Sequence, residues 1–98
     1  MKVSELNDEY VADYLRLDEP DETVLQEVHT ALTSAMAYAV HYTGLTEEEM
    51  EKYEDITMAI LILTADMFEN RNLYIDYKTK EVNKTVETIL GMHQVNLL

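Results

Sequence analysis

The 98 residues suffice for one compact domain and are too few for two. Hydrophobic residues make up 47%, which excludes a disordered acidic tail, and two Gly with one Pro leave an all-β fold without its turns. Twenty acids against seven bases give a net charge of −13, a field that repels nucleic acid.

The placement of that charge carries more information than its size. Residues 1–22 hold eight acids and two bases, and residues 47–55 hold six acids and one base, so −11 of the −13 sits in two segments. No basic patch with interleaved aromatics offers a nucleic-acid surface. The absence of Cys removes disulfide frameworks and thiolate metal sites and suits a reducing compartment. Met1 to Asp8 is polar and lacks a signal-peptide core. The longest apolar run, Met58 to Leu63, falls far short of the roughly 20 residues that span a bilayer. A soluble, cytosolic helical protein is expected.

The first helix is expected from about Glu5 to Arg16, with Ser4 as N-cap and Leu6, Tyr10, Tyr14 and Leu17 as its apolar stripe. Asp18-Glu19-Pro20-Asp21-Glu22 ends it and opens the next, because Pro is tolerated in a first turn and acids there complement the helix dipole. A long second helix is expected from about Asp21 to Thr43, stopped by Gly44 at the left-handed C′ position. Val24, Leu25, Val28, Ala31, Leu32, Ala35, Met36, Ala39 and Tyr42 repeat on its core face at helical spacing. Thr46-Glu47-Glu48-Glu49 has the form of a capping box before a short acidic helical segment. The third main helix, about Glu54 to Asn70, is apolar nearly all round, as a helix at the centre of a fold or between subunits is. A loop is expected over residues 72–82, then a last helix capped by Asn83 and running to about His93, with Val82, Val86, Ile89, Leu90 and His93 on one face. The expected architecture is all-α: a four-helix orthogonal or irregular bundle with one long central helix, forming a single domain over 1–98. Residues 94–98 make a flexible apolar tail.

Catalytic and metal-binding chemistry finds little to work with. His29 and His41 are three turns apart and cannot share a metal within one subunit, and neither sits in a His-x-x-x-His or Glu-x-x-His pair. Asp66 and Glu69 resemble half of a carboxylate metal site, with no matching helix to complete it. Asp18, Asp21 and Glu22 lack the calcium-loop pattern and read as helix caps. Two Gly cannot build a phosphate loop, and no Ser or Thr sits in a nucleophile elbow. No catalysis, metal or cofactor is expected.

One feature calls for an explanation. From Thr30 to Thr46 no Asp, Glu, Lys or Arg occurs, in a chain of net charge −13. The side of the long helix opposite its core reads Gln26, Thr30, Thr33, Ser34, Ala37, His41, where a solvated face carries Lys and Glu. Small neutral residues let another helix approach closely. Thr30, Thr33, Ser34, Ala37 and His41, with Met58 and Ile62 on the all-round apolar third helix, are therefore the candidate subunit interface.

The ordered features resemble the small head–tail connector (adaptor) proteins of tailed phages, a family also described as DNA-packaging proteins. The matching pieces are Tyr14-Leu15-Arg16-Leu17-Asp18, Asp21-Glu22, Leu25, Tyr42-Thr43-Gly44, Ala59-Ile60-Leu61-Ile62-Leu63, Met67-Phe68-Glu69-Asn70-Arg71 and Val82-Asn83. They span nearly the whole chain in order, and each alone is short. The resemblance implies a helical subunit of a homo-oligomeric ring beneath the portal protein, at the head–tail junction of the virion and in the host cytoplasm before assembly. Such a ring extends the channel through which DNA passes without specific binding, and docks a head-completion or stopper protein. On that reading Asp8, Glu9, Asp13, Glu47, Glu48 and Glu49 are channel-wall candidates. Tyr74, Tyr77, Val95, Leu97 and Leu98 are the candidates for docking portal and tail. The chain departs from the family pattern at its end, with His93 and Gln94 where relatives often carry an aromatic and an Arg. The rival is an acidic DNA-mimic inhibitor of a host DNA-binding enzyme, which should spread its carboxylates over an extended face.

Overall fold

The computed structural model describes residues 1–70 and 84–95. Among these the chain is all-α, with no strand. A 3-10 turn (Val3–Glu5) leads into α1 (Asp8–Tyr14), α2 (Glu22–Thr43), α3 (Glu47–Met50), α4 (Glu54–Glu69) and α5 (Lys84–Met92). The expected loop over 72–82, the Asn83 cap and Val82 lie outside the described residues, as do residues 96–98 of the tail.

The long helix begins and ends where its capping chemistry places it. The Asp21 carboxylate accepts the Val24 N–H at 2.9 Å, filling one orphan donor of the first turn. Gly44 takes φ +77° and its N–H reaches the Val40 carbonyl. The capping box is present in both directions. Thr46 Oγ1 accepts from the Glu49 N–H at 3.1 Å, and Glu49 Oε1 accepts from the Thr46 N–H at 3.0 Å.

The first helix differs from expectation. It starts at Asp8, capped by Asn7, whose side chain accepts the Tyr10 N–H. Ser4 is not a cap: its N–H and hydroxyl both donate to the Glu51 carboxylate, at 2.6 and 3.1 Å, pinning the chain start to the α3–α4 corner. Of the expected stripe, Leu6 is buried and Tyr10 and Leu17 pack partly buried against the core, with Val11 and Ala12 buried beside them, while Tyr14 is 47% exposed. The helix ends at Tyr14, short of Arg16. Arg16 is at φ 58°, and the Arg16 and Leu17 N–H groups return to the Asp13 and Ala12 carbonyls. That is a Schellman closure with arginine where glycine is usual.

The core gathers on α4, which buries Ile56, Ala59, Ile60, Leu61, Leu63 and Phe68 and packs most extensively on α2, then on α5. From α2 come Val28, Ala31, Leu32, Ala35 and Ala39, from α5 Val86 and Leu90, and Met50 seals the corner. Val24, Met36 and Tyr42, also expected on this face, are partly buried against the cluster. Asp55 beside His93 sets α5 antiparallel to α4, and Val95 beside Thr43 brings the ends of α5 and α2 together. Val95, in the tail expected from residue 94, donates its N–H to the Thr43 carbonyl.

Candidate functional site

The charge-free stretch of α2 forms an exposed face. Thr30, Thr33, Ser34, Ala37 and His41 are all exposed, while the residues between them, Ala31, Leu32, Ala35 and Ala39, are buried. The Thr30 hydroxyl donates to the Gln26 carbonyl at 3.0 Å, so its polar group is satisfied within the helix. Beside this face runs a shallow, open and mainly apolar groove of about 480 Å³, lined by Leu32, Thr33, Met36, Ala37, Val40, His41 and Glu47. Three of the five expected α2 residues thus line one concavity. Met36 and Val40, assigned to the core or left aside by periodicity, join them because they flank the core stripe and are only partly buried.

Met58 and Ile62 stand apart from that groove, one turn apart on α4, with Met58 48% exposed and Ile62 partly buried. The candidate interface is thus two patches on two helices.

The acidic candidates also divide. Asp8 Oδ1 lies 3.1 Å from His29 Nδ1, which places the α1 acids beside the N-terminal half of α2. Glu47 shares the groove with His41. His29 and His41 are separated by roughly 18 Å of helix axis, at 1.5 Å per residue, so the two acid groups sit at different levels of the bundle. Glu9, Asp13, Glu48 and Glu49 are exposed. Bonding from the Thr46 backbone, then from the Thr46 hydroxyl, holds the Glu49 carboxyl below the usual range, with a smaller contribution from Lys52.

Each histidine has an ordinary setting. His29 pairs with Asp8, His41 lines the groove, and His93 Nε2 is 2.7 Å from Asp55 Oδ2 with its ring 4.4 Å from that of Tyr53. No group of three or more His, Asp or Glu suited to a metal occurs among the described residues. The Asp66 carboxylate accepts from Asn70 Nδ2 at 2.8 Å and so helps to close α4. Tyr38 stacks on Tyr42 at 5.7 Å; burial first, then Glu87 and Tyr42, pushes its hydroxyl pKa above the usual value.

Of the docking candidates, Val95 is 39% exposed, and Tyr74, Tyr77, Leu97 and Leu98 lie outside the described residues. Sequence reasoning passed over Tyr53 and Met92, which are 38% and 67% exposed near Val95. Tyr53 precedes α4 and Met92 ends α5, so neither lies on an outward stripe that helical periodicity would reveal. No described helix is long and apolar enough to cross a membrane. No known family, curated protein or solved structure matches the chain.

Proposed function

We propose that this chain is a non-catalytic structural subunit that assembles with copies of itself into a ring, in the manner of a phage head–tail connector. The observation that carries this reading is the exposed neutral face of α2 in a protein of net charge −13. Copies this acidic can associate only where carboxylates do not meet. A closed ring requires two different patches, one on each side of the subunit. The neutral α2 face and the Met58–Ile62 strip of α4 are the two patches we assign to that contact.

In the connector reading the ring sits between the portal and a head-completion protein at the head–tail junction, after assembly in the host cytoplasm. DNA passes through it without specific binding, and the exposed acids near Asp8 and Glu47 keep the passage non-adhesive. The alternative is an acidic DNA mimic that inhibits a host DNA-binding enzyme. The mass of the purified chain across a concentration series separates them. A connector subunit gives a concentration-dependent oligomer. A chain that stays monomeric and co-purifies with a DNA-binding enzyme is the mimic.

A further inference from the structure

We propose that the end of the bundle where α2 and α5 finish and α4 begins is a docking surface for a basic protein segment, one with an apolar anchor flanked by Lys or Arg. Six large apolar side chains are exposed among the described residues, and four of them, Met1, Tyr53, Met92 and Val95, belong to this end. Scattered singly they would need no explanation; grouped at one end beside Glu54 and Asp55 they mark a contact site. The grouping follows from three links. The Tyr53 ring lies 4.4 Å from that of His93, which follows Met92. The Met1 ammonium lies 3.2 Å from Glu54, which follows Tyr53. The Val95 N–H donates to the Thr43 carbonyl at 2.7 Å.

Tyr and Met are enriched at the centres of protein interfaces. This end is also fastened beforehand, since His93 is held by Asp55 at 2.7 Å and Val95 by Thr43, so little ordering is left for binding to impose.

The surrounding charge selects the partner. Glu54 and Asp55 directly follow Tyr53 and are exposed, and the one base of the segment 51–55 is Lys52. A second copy would bring an identical acidic rim against this one, and nucleic acid or an anionic bilayer would be repelled in the same way. A segment whose apolar side chain is flanked by cations is steered toward the rim and places its anchor at the centre. None of Met1, Tyr53, Met92 and Val95 lines the α2 groove, so the two contacts can be tested apart.

The probe is a short synthetic amphipathic peptide with Leu on one face and Lys on the other, titrated into the full-length ¹⁵N-labelled chain. A control peptide carries Glu for every Lys. The Lys peptide should shift the amide signals of Tyr53, Met92, His93 and Val95 and bind more weakly as salt rises. Met92→Glu should weaken it about tenfold or more with the helical circular dichroism unchanged, because Met92 is 67% exposed. The Glu peptide should not bind. Equal shifts over the acids of residues 1–22, indifference to Met92→Glu, or equal binding of both peptides would overturn the proposal. So would loss of self-association in Met92→Glu, which would give this end to a second copy.

Discussion

The Val95 N–H donates to the carbonyl of Thr43 across 2.7 Å, joining the chain after α5 to the last turn of α2. The Thr43 carbonyl is one of the four that a helix end leaves without an intrahelical partner, and the tail supplies the missing donor. Thr43 holds this junction together from inside as well. Its hydroxyl donates to the Ala39 carbonyl at 2.7 Å and accepts the buried Leu45 N–H at 3.1 Å.

Gly44 makes the turn at this junction at φ +77°, where an L side chain is strained. A Cβ added there would lie 3.6 Å from Val95 Cβ, an ordinary contact, so the cost of Gly44→Ala is conformational. Urea unfolding should show a loss of about 1–2 kcal/mol. A gain in stability, as Gly→Ala gives at negative φ, would contradict the αL assignment.

Two buried threonines should respond oppositely to the same change. Thr43→Val removes the acceptor of the buried Leu45 N–H and should cost about 1–3 kcal/mol. Thr57 is 1% exposed and its hydroxyl has no partner among the described residues, so Thr57→Val should be neutral or stabilising. Equal losses in the two variants by denaturant unfolding would refute the difference in bonding.

These contrasts mark what the sequence can convey. Asp21, Gly44 and the Thr46–Glu49 box were legible because a cap acts within three or four residues of itself. The burial of α4 was legible because it is apolar on every side. Ser4 was misread because its partner, Glu51, is 47 residues away. The end of α1 was misread because Arg16 occupies a left-handed position usually signalled by glycine. For the candidate site, the neutral strip on α2 could be read from its composition. The apolar end at Tyr53, Met92 and Val95 could not, since only the packing of α5 against α4 brings it together.

Glu49 gives a pH prediction. Its folded-state pKa is depressed, so its contribution is fully present at neutral pH and is lost as pH falls through the folded value. A carboxyl NMR titration should give Glu49 a midpoint below the ordinary Glu value, and Thr46→Ala should move it upward. An ordinary midpoint in the wild type, or one unmoved in Thr46→Ala, would contradict the capping geometry.

The wild-type chain should have no measurable affinity for duplex DNA even at low salt, where electrostatic binding is strongest. Glu47→Lys with Glu48→Lys should create salt-sensitive binding and leave the fold intact. Glu49 is spared because it bonds back to Thr46. Complementation of particle assembly by this variant should be impaired if the acids line a DNA passage. DNA binding by the wild type in a mobility-shift titration would contradict the non-adhesive role.

Self-association through the α2 face is most directly tested by sedimentation velocity on the wild type, Ala37→Glu and Leu32→Ala, with circular dichroism alongside. Both line the groove, but Ala37 is exposed at its surface, whereas Leu32 is 8% exposed and packed into the core beneath it. The wild type should show a concentration-dependent oligomer, and Ala37→Glu should shift it toward monomer at unchanged helicity. Leu32→Ala should instead lose about 2–5 kcal/mol of stability. A monomeric wild type at every concentration, or an Ala37→Glu variant that unfolds as Leu32→Ala does, would contradict the assembly reading.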